Sequence, residues 1–224
     1  MISIVKAVKG RSEPTEGLGR LHERGETKMS TFEDAELVQR YQHGDESALD
    51  TLVKIHQEWA YRFAFRLCRD SENAADIVAD AFVRVCKSLH KFQGNCAFKS
   101  WLYRIITNSY LDMRKKGESR KTVSFELVFG GDGAEYENEP VGQLPSPHEF
   151  AVRNELKDRL TQAIEELPEH QRVIIVMHYL QMLPYEEICE ILELPIGTVK
   201  SKLNRARTAL RESLLPEMES LVAA

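Results

Sequence analysis

An all-α fold is predicted by three observations on this chain. Apolar residues recur at helical spacing from Asp34 to Lys116 with only short breaks, and the same spacing returns from Pro147 to Leu214. Between them, Ser119 to Ser146 carries Gly130, Gly131, Gly133, Pro140 and Pro145 among acidic residues, with no sustained period. The expectation is a disordered leader over 1–30, a helical domain over 31–118, a flexible acidic linker over 119–146 and a second helical domain over 147–224. A length of 224 residues with 42% hydrophobic content is enough for one or two ordinary cores.

Composition narrows the class of protein. No apolar run is long enough to span a bilayer, and the opening MISIVKAVKG has neither an apolar segment nor a cleavage site, which predicts a cytoplasmic chain without membrane insertion. Cys68, Cys86, Cys96 and Cys189 are scattered and form no CxxC pair, so buried free thiols are expected ahead of metal ligation. The histidines are widely separated, and neither a phosphate-binding glycine loop nor a nucleophile–base pair stands out. Neither an enzyme nor a metal or cofactor protein is expected. The net charge of −5 hides a strong asymmetry: from Arg84 to Lys121 the only acids are Asp112 and Glu118, against Lys and Arg throughout.

In the first domain the breaks at Gly44, Asp70 to Asn73 and Gly94 to Cys96 divide the pattern into four or so helices, the first capped at Ser30 or Thr31. Leu37, Tyr41, Leu49, Leu52, Ile55, Tyr61, Phe65 and Leu67 are expected to supply the first inward faces, followed by Ile77, Val78, Ala81, Phe82 and Val85. From Lys91 to Lys116, Phe92, Phe98, Trp101, Tyr103 and Tyr110 interleave with Lys91, Lys99, Arg104 and the Arg114 to Lys116 cluster. Rings alternating with cations suit single-stranded DNA, on which bases stack and phosphates pair. Trp101 and Ile105, at i and i+4, are more often plain core. Gln93, Asn95 and the cations are the stronger functional candidates.

The linker contains an apolar patch of Phe125, Leu127, Val128 and Phe129. Beyond it, Leu156, Leu160, Ile164 and Leu167 recur at core spacing, and Pro168 suits the first position of the next helix. Pro184 to Leu214 then reads as two helices joined by a tight corner, a helix-turn-helix candidate. Ile188, Ile191 and Leu192 mark the inward face of the first. In the second, Val199, Leu203, Ala206 and Leu210 form a stripe that leaves Lys200, Ser201, Lys202, Asn204, Arg205 and Arg207 off it. Such a face suits phosphates and base edges, or is simply a solvated cationic surface.

Three segments carry a family resemblance: AADIVADAFVRV from Ala74, FQGNCAFKSWLYRIITN from Phe92, and LPEHQRVIIVMHYL leading into YEEICEIL and GTVKSKLNRAR. In this order and spacing the chain resembles the extracytoplasmic-function (ECF) group of bacterial RNA polymerase sigma factors, from about Asp34 to Leu214. The resemblance implies two helical domains, region 2 and region 4, and a promoter-specificity subunit whose partners are core RNA polymerase, promoter DNA and a cognate anti-sigma factor. It further implies core-polymerase contacts at Asp76, Asp80, Phe82 and Arg84, and minus-ten contacts at Gln93, Asn95, Lys99, Trp101, Arg104, Asn108, Arg114 and Lys115. Minus-thirty-five contacts fall on Thr198, Lys200, Ser201, Asn204, Arg205 and Arg207. The chain departs from the family pattern with Ala79 for Gln, Cys86 for Trp, Pro184 for Ser, Cys189 for Ala and Glu193 for Gly. The alternative is a helix-turn-helix regulator that binds an operator without core polymerase.

Overall fold

The computed structural model describes residues 23–120 and 147–222, with side chains over 33–116 and 154–215. The linker patch lies outside the described residues, as do residues 1–22 of the leader. The chain divides into two compact units, one formed by Met1–Val123 with Glu186–Leu194 and the other by Ser124–Tyr185 with Pro195–Ala224.

Among the described residues, the first unit contains α1 (Glu23–Gln42), α2 (Glu46–Cys68), α3 (Ser71–Ser88) and α4 (Phe98–Arg120), with a 3-10 turn at Leu89–Lys91 after α3, and most of a later helix within Glu186–Leu194. Helix α1 starts ahead of the expected Ser30 or Thr31 cap, because Glu23, Arg24, Glu26, Lys28 and Met29 are good helix formers and a polar composition does not itself end a helix. Gly44, at φ +100, supplies the left-handed turn after α1. Asp45 then caps α2, accepting from the Ser47 amide at 3.0 Å while Arg40 donates to its other oxygen at 2.6 Å. Hydrogen bonds from the Ser47 hydroxyl and from Arg40 lower the Asp45 carboxyl from its usual value. Asp70 caps α3 in the same way through the Asn73 amide, at 2.7 Å.

Helix α2 packs on α1, α3 and α4, and α3 packs on α4. Leu52, Phe63, Leu67, Ile77, Phe82, Leu102, Ile106 and Tyr110 fill the core between them. Ile55 and Tyr61, expected inward, are instead 46% and 36% exposed. The buried stripe of α2 runs through Leu49, Leu52, Val53, His56, Ala60, Phe63, Ala64 and Leu67, and the position beside Ile55 goes to a histidine. His56 Nε2 lies 2.8 Å from Asp34 Oδ1 of α1, with both side chains nearly inaccessible. The Phe98 ring, at the start of α4, sits 5.2 Å from the imidazole.

The second unit contains α5 (Pro147–Glu166), α6 (Glu169–Ile175), a π-helical turn (Val176–Leu180) and α8 (Ile196–Val222); α7 (Tyr185–Leu192) starts in this unit and otherwise belongs to the first. Helix α8 packs on α6 and α5. Ala163, Leu167, Val173 to Met177, Val199, Leu203 and Ala206 are buried. Leu156 and Leu160 are each 41% exposed, so the inward face of α5 begins later than its apolar spacing predicts. Pro168 takes the N-cap of α6 rather than its first helical position, and its carbonyl accepts from the Gln171 and Arg172 amides. Buried Arg172 donates to the carbonyls of Ile164, Glu165 and Leu167, satisfying the C-terminal end of α5.

The Asp34 and His56 pairing gives a sharp test. Asp34→Ala leaves a buried imidazole without its partner and should destabilise the first unit by about 3 kcal/mol. The exposed Ile55→Ala should change stability by less than about 0.5 kcal/mol. Urea denaturation of the full chain followed by circular dichroism measures both, and equal effects would refute the difference in burial.

Candidate nucleic-acid interfaces

On α3, Asp76 is exposed while Phe82 is 1% exposed and part of the core. Phe82 therefore shapes the helix from within and offers no surface, which corrects its expected place among the contacts. Asp80 is exposed and Arg84 half-buried, and both are tied to α4: Arg84 Nε lies 2.9 Å from Asp80 Oδ2, Arg84 Nη2 lies 3.0 Å from Asp112 Oδ2, and Ser109 Oγ donates to Asp80 at 2.8 Å. This network holds α3 against α4. Asp76 is left as the acidic residue on that face whose replacement need not disturb it.

The loop between the 3-10 turn and α4 is fixed at its entry by Gln42 of α1, which donates to the carbonyls of Leu89 at 3.1 Å and Phe92 at 2.7 Å. Phe98, 3% exposed, anchors the other end. Between these points Gly94 adopts φ +70, and Gln93 and Asn95 are exposed, Asn95 Nδ2 donating to Gln93 Oε1 at 3.2 Å. Trp101 packs half-buried between Phe92, at 4.8 Å, and Phe98, at 5.9 Å. Lys99 lies 5.2 Å from the centre of the Trp59 ring. Asn108 and Lys115 are exposed, and Arg114 is half-buried. The polar tip is thus presented from an aromatic base, a layout that suits a base stacked beside a hydrogen-bonding loop.

Arg104 sits differently. It donates to the Ile191 carbonyl at 2.9 Å, to the Glu190 carbonyl and to Glu193 Oε1 at 2.6 Å, satisfying the end of α7 within the first unit. Glu193, where a glycine is expected, takes φ +53, a conformation that costs a residue with a side chain about 1 kcal/mol. The pairing with Arg104 places a compensating contact on that strained residue.

On α8 the buried stripe is Val199, Leu203 and Ala206. Lys200, Ser201, Asn204, Arg205 and Arg207 are exposed and Thr198 is half-buried. The Thr198 amide donates to Pro195 O at 2.8 Å, and Ser201 Oγ donates to Thr198 O at 3.0 Å. The four cysteines are free and half-buried, and burial pushes the Cys68 thiol up to about 11. Among the described residues no helix is long and apolar enough to cross a membrane.

The helical bundle with a polar loop over aromatics and the cationic helix set on its own core correspond to region 2 and region 4 of sigma-70-type initiation factors. The family model for Sigma-70 region 2 matches residues 52–120, and that for Sigma-70, region 4 matches 157–210. The RNA polymerase sigma-H factor of Pseudomonas aeruginosa is 32% identical over 193 residues, covering 84% of this chain and 97% of the relative. The ECF RNA polymerase sigma factor SigW of Bacillus subtilis is 33% identical over 177 residues (79% and 94%), and the ECF RNA polymerase sigma-E factor of Escherichia coli is 33% identical over 187 residues (82% and 95%). Among solved structures, the sigma factor RpoE from Bartonella quintana, crystallised with the anti-sigma factor NepR, matches with TM-score 0.54 and 25% identity over 74% of this chain and 95% of that one. CnrH, in complex with the cytosolic domain of CnrY, shares the fold at TM-score 0.56 and 23% identity over 83% of this chain and 98% of that one. The chain belongs to the ECF group of RNA polymerase sigma factors. Members of that group are transcription initiation factors rather than enzymes.

Sequence reasoning missed Gln42, whose partners lie 47 and 50 residues away, and no local pattern announces it. It also missed Tyr179 and Tyr185, the partners of Arg207.

Proposed function

We propose that this sigma factor binds core RNA polymerase and directs promoter-specific initiation through three surfaces: the α3 face around Asp76, the Gln93 to Phe98 loop with Lys99, Trp101, Asn108 and Lys115, and the α8 row of Thr198, Lys200, Ser201, Asn204, Arg205 and Arg207. The observation that carries this reading is the succession of region 2 and region 4 in one chain, each presenting its exposed polar residues off a separate buried core. A regulator acting without polymerase would have no use for a region 2 domain. Domains over 31–118 and 147–224, joined by the 119–146 segment, would span the two promoter elements. Arg104 would contact DNA only after releasing α7. The site of action would be the cytoplasm, where RNA polymerase works. An anti-sigma factor is a further partner, since the similar RpoE was crystallised with one.

Reconstituted holoenzyme tests the three surfaces separately. Asp76→Lys should reduce retention on immobilised core enzyme while leaving thermal stability within about 0.5 kcal/mol of wild type. Undiminished retention would remove Asp76 from the interface. Asn95→Ala should slow open-complex formation and leave closed-complex binding intact, because a flipped base is captured only after unstacking, which costs a few kcal/mol. Permanganate reactivity equal to wild type would contradict it. Asn204→Ala should cost about 1 to 3 kcal/mol and relax preference at one base pair of a randomised minus-thirty-five element. An unchanged preference profile, from this variant and from Lys200→Ala, would mean that α8 does not read bases.

A further inference from the structure

The π-helical turn Val176–Leu180 breaks the α-helical register after α6, with the Gln181 amide reaching back to Val176 O at 2.9 Å. His178 and Tyr179 lie in that turn. His178 Nδ1 is 3.1 Å from Leu183 O, and its ring lies between two tyrosines, stacked on Tyr185 at 4.8 Å and edge-on to Tyr179 at 4.8 Å. Both phenols reach the outward cations of α8. Arg207 Nε donates to Tyr179 Oη at 2.5 Å and Arg207 Nη2 to Tyr185 Oη at 3.5 Å, with the guanidinium 5.4 Å from the Tyr179 ring centre. Lys200 Nζ, two turns earlier on α8, lies 6.0 Å from the Tyr185 ring centre.

This cluster is not explained by packing. Tyr179 is 45% exposed and gains little from burial, and the ring contacts need no hydroxyl. A phenol that accepts from a guanidinium keeps its own O–H hydrogen, which can be donated to an anion approaching the same spot. Held by neutral acceptors rather than by a carboxylate, Arg207 also keeps its full positive charge for an outside partner.

We propose that Tyr179 and Tyr185 are DNA-backbone residues: their hydroxyls hold Arg207 in place, and Tyr179 adds a hydrogen-bond donor to the phosphate that Arg207 binds. The inference rests on the reading of α8 as the promoter-binding helix. It adds residues from outside α8, and it assigns this corner to phosphate rather than base recognition.

The test measures holoenzyme affinity for minus-thirty-five duplexes of several sequences across a salt series, for Tyr179→Phe, Tyr185→Phe, Arg207→Ala and the Tyr179→Phe/Arg207→Ala double variant. Tyr179→Phe should weaken binding about fivefold, the worth of one ordinary hydrogen bond, and equally for every sequence. Tyr185→Phe should do less, given its longer bond. Arg207→Ala should also lower the salt slope by about one unit, and the double variant should lose more than Arg207→Ala alone but less than the two single losses combined. The proposal is overturned if Tyr179→Phe binds like wild type, if its loss depends on sequence, or if its loss adds fully to that of Arg207→Ala. A different pattern would mark failure of the underlying reading: Arg207→Ala and Lys200→Ala would both leave affinity and slope unchanged. A weakened Arg207→Ala beside an unaffected Tyr179→Phe would sink this inference alone.

Discussion

The buried pair of Asp34 and His56 is the constraint from which the first unit's working surface follows. It joins α1 to α2 with both side chains almost wholly inaccessible, and the imidazole meets Phe98 at the first turn of α4. Burying a carboxylate is expensive unless a partner is in place, so few other arrangements of these helices are tolerable. Phe98 fixes the exit of the Gln93 to Phe98 loop, and Gln42, on the same helix as Asp34, fixes its entry. The polar loop is thereby stretched between two anchored points rather than left to sample many shapes.

The cations of this protein divide into two populations that composition does not separate. Arg84, Arg104 and Arg172 are turned onto carboxylates and helix-end carbonyls of the protein itself. Their work is structural in this conformation, and the planar fork of arginine suits several acceptors at once. Lys200, Arg205 and Arg207 stand outward on α8, where a partner with negative charge completes them. An acidic chain therefore presents a cationic surface without contradiction, because the net charge of −5 is a sum over the whole chain whereas these cations are gathered on one helix face.

Among the described residues three non-glycine positions hold positive φ; Arg69 ends α2, and the other two lie in these neighbourhoods. Glu193 and Met182 both hold positive φ without being glycine, one at the end of α7 and the other just after the π-helical turn. Each sits beside a segment to which function is assigned: Glu193 binds Arg104, and the turn before Met182 delivers His178 and Tyr179. The altered register after α6 gives Tyr179 its place beside α8, which links a local irregularity of one helix to the charge presented by another.

Helical periodicity and motif order determined the all-α class, the two domains, the family and the outward row on α8, because each is a property of one segment read along itself. The stripe of Val199, Leu203 and Ala206 leaves Asn204 and Arg205 outside whatever the stripe packs against. Only the tertiary structure decided that Phe82 is core, that Asp80 and Arg84 are bound to α4, that Ile55, Leu156 and Leu160 stay exposed, and that Arg104 is occupied by α7. Tyr179 was equally silent in the sequence, since its value lies in a contact 28 residues away. Periodicity tells which side of a helix is apolar. Which neighbour covers that side, and how far along it the cover extends, depends on packing between segments distant in the chain, and no local spacing encodes it.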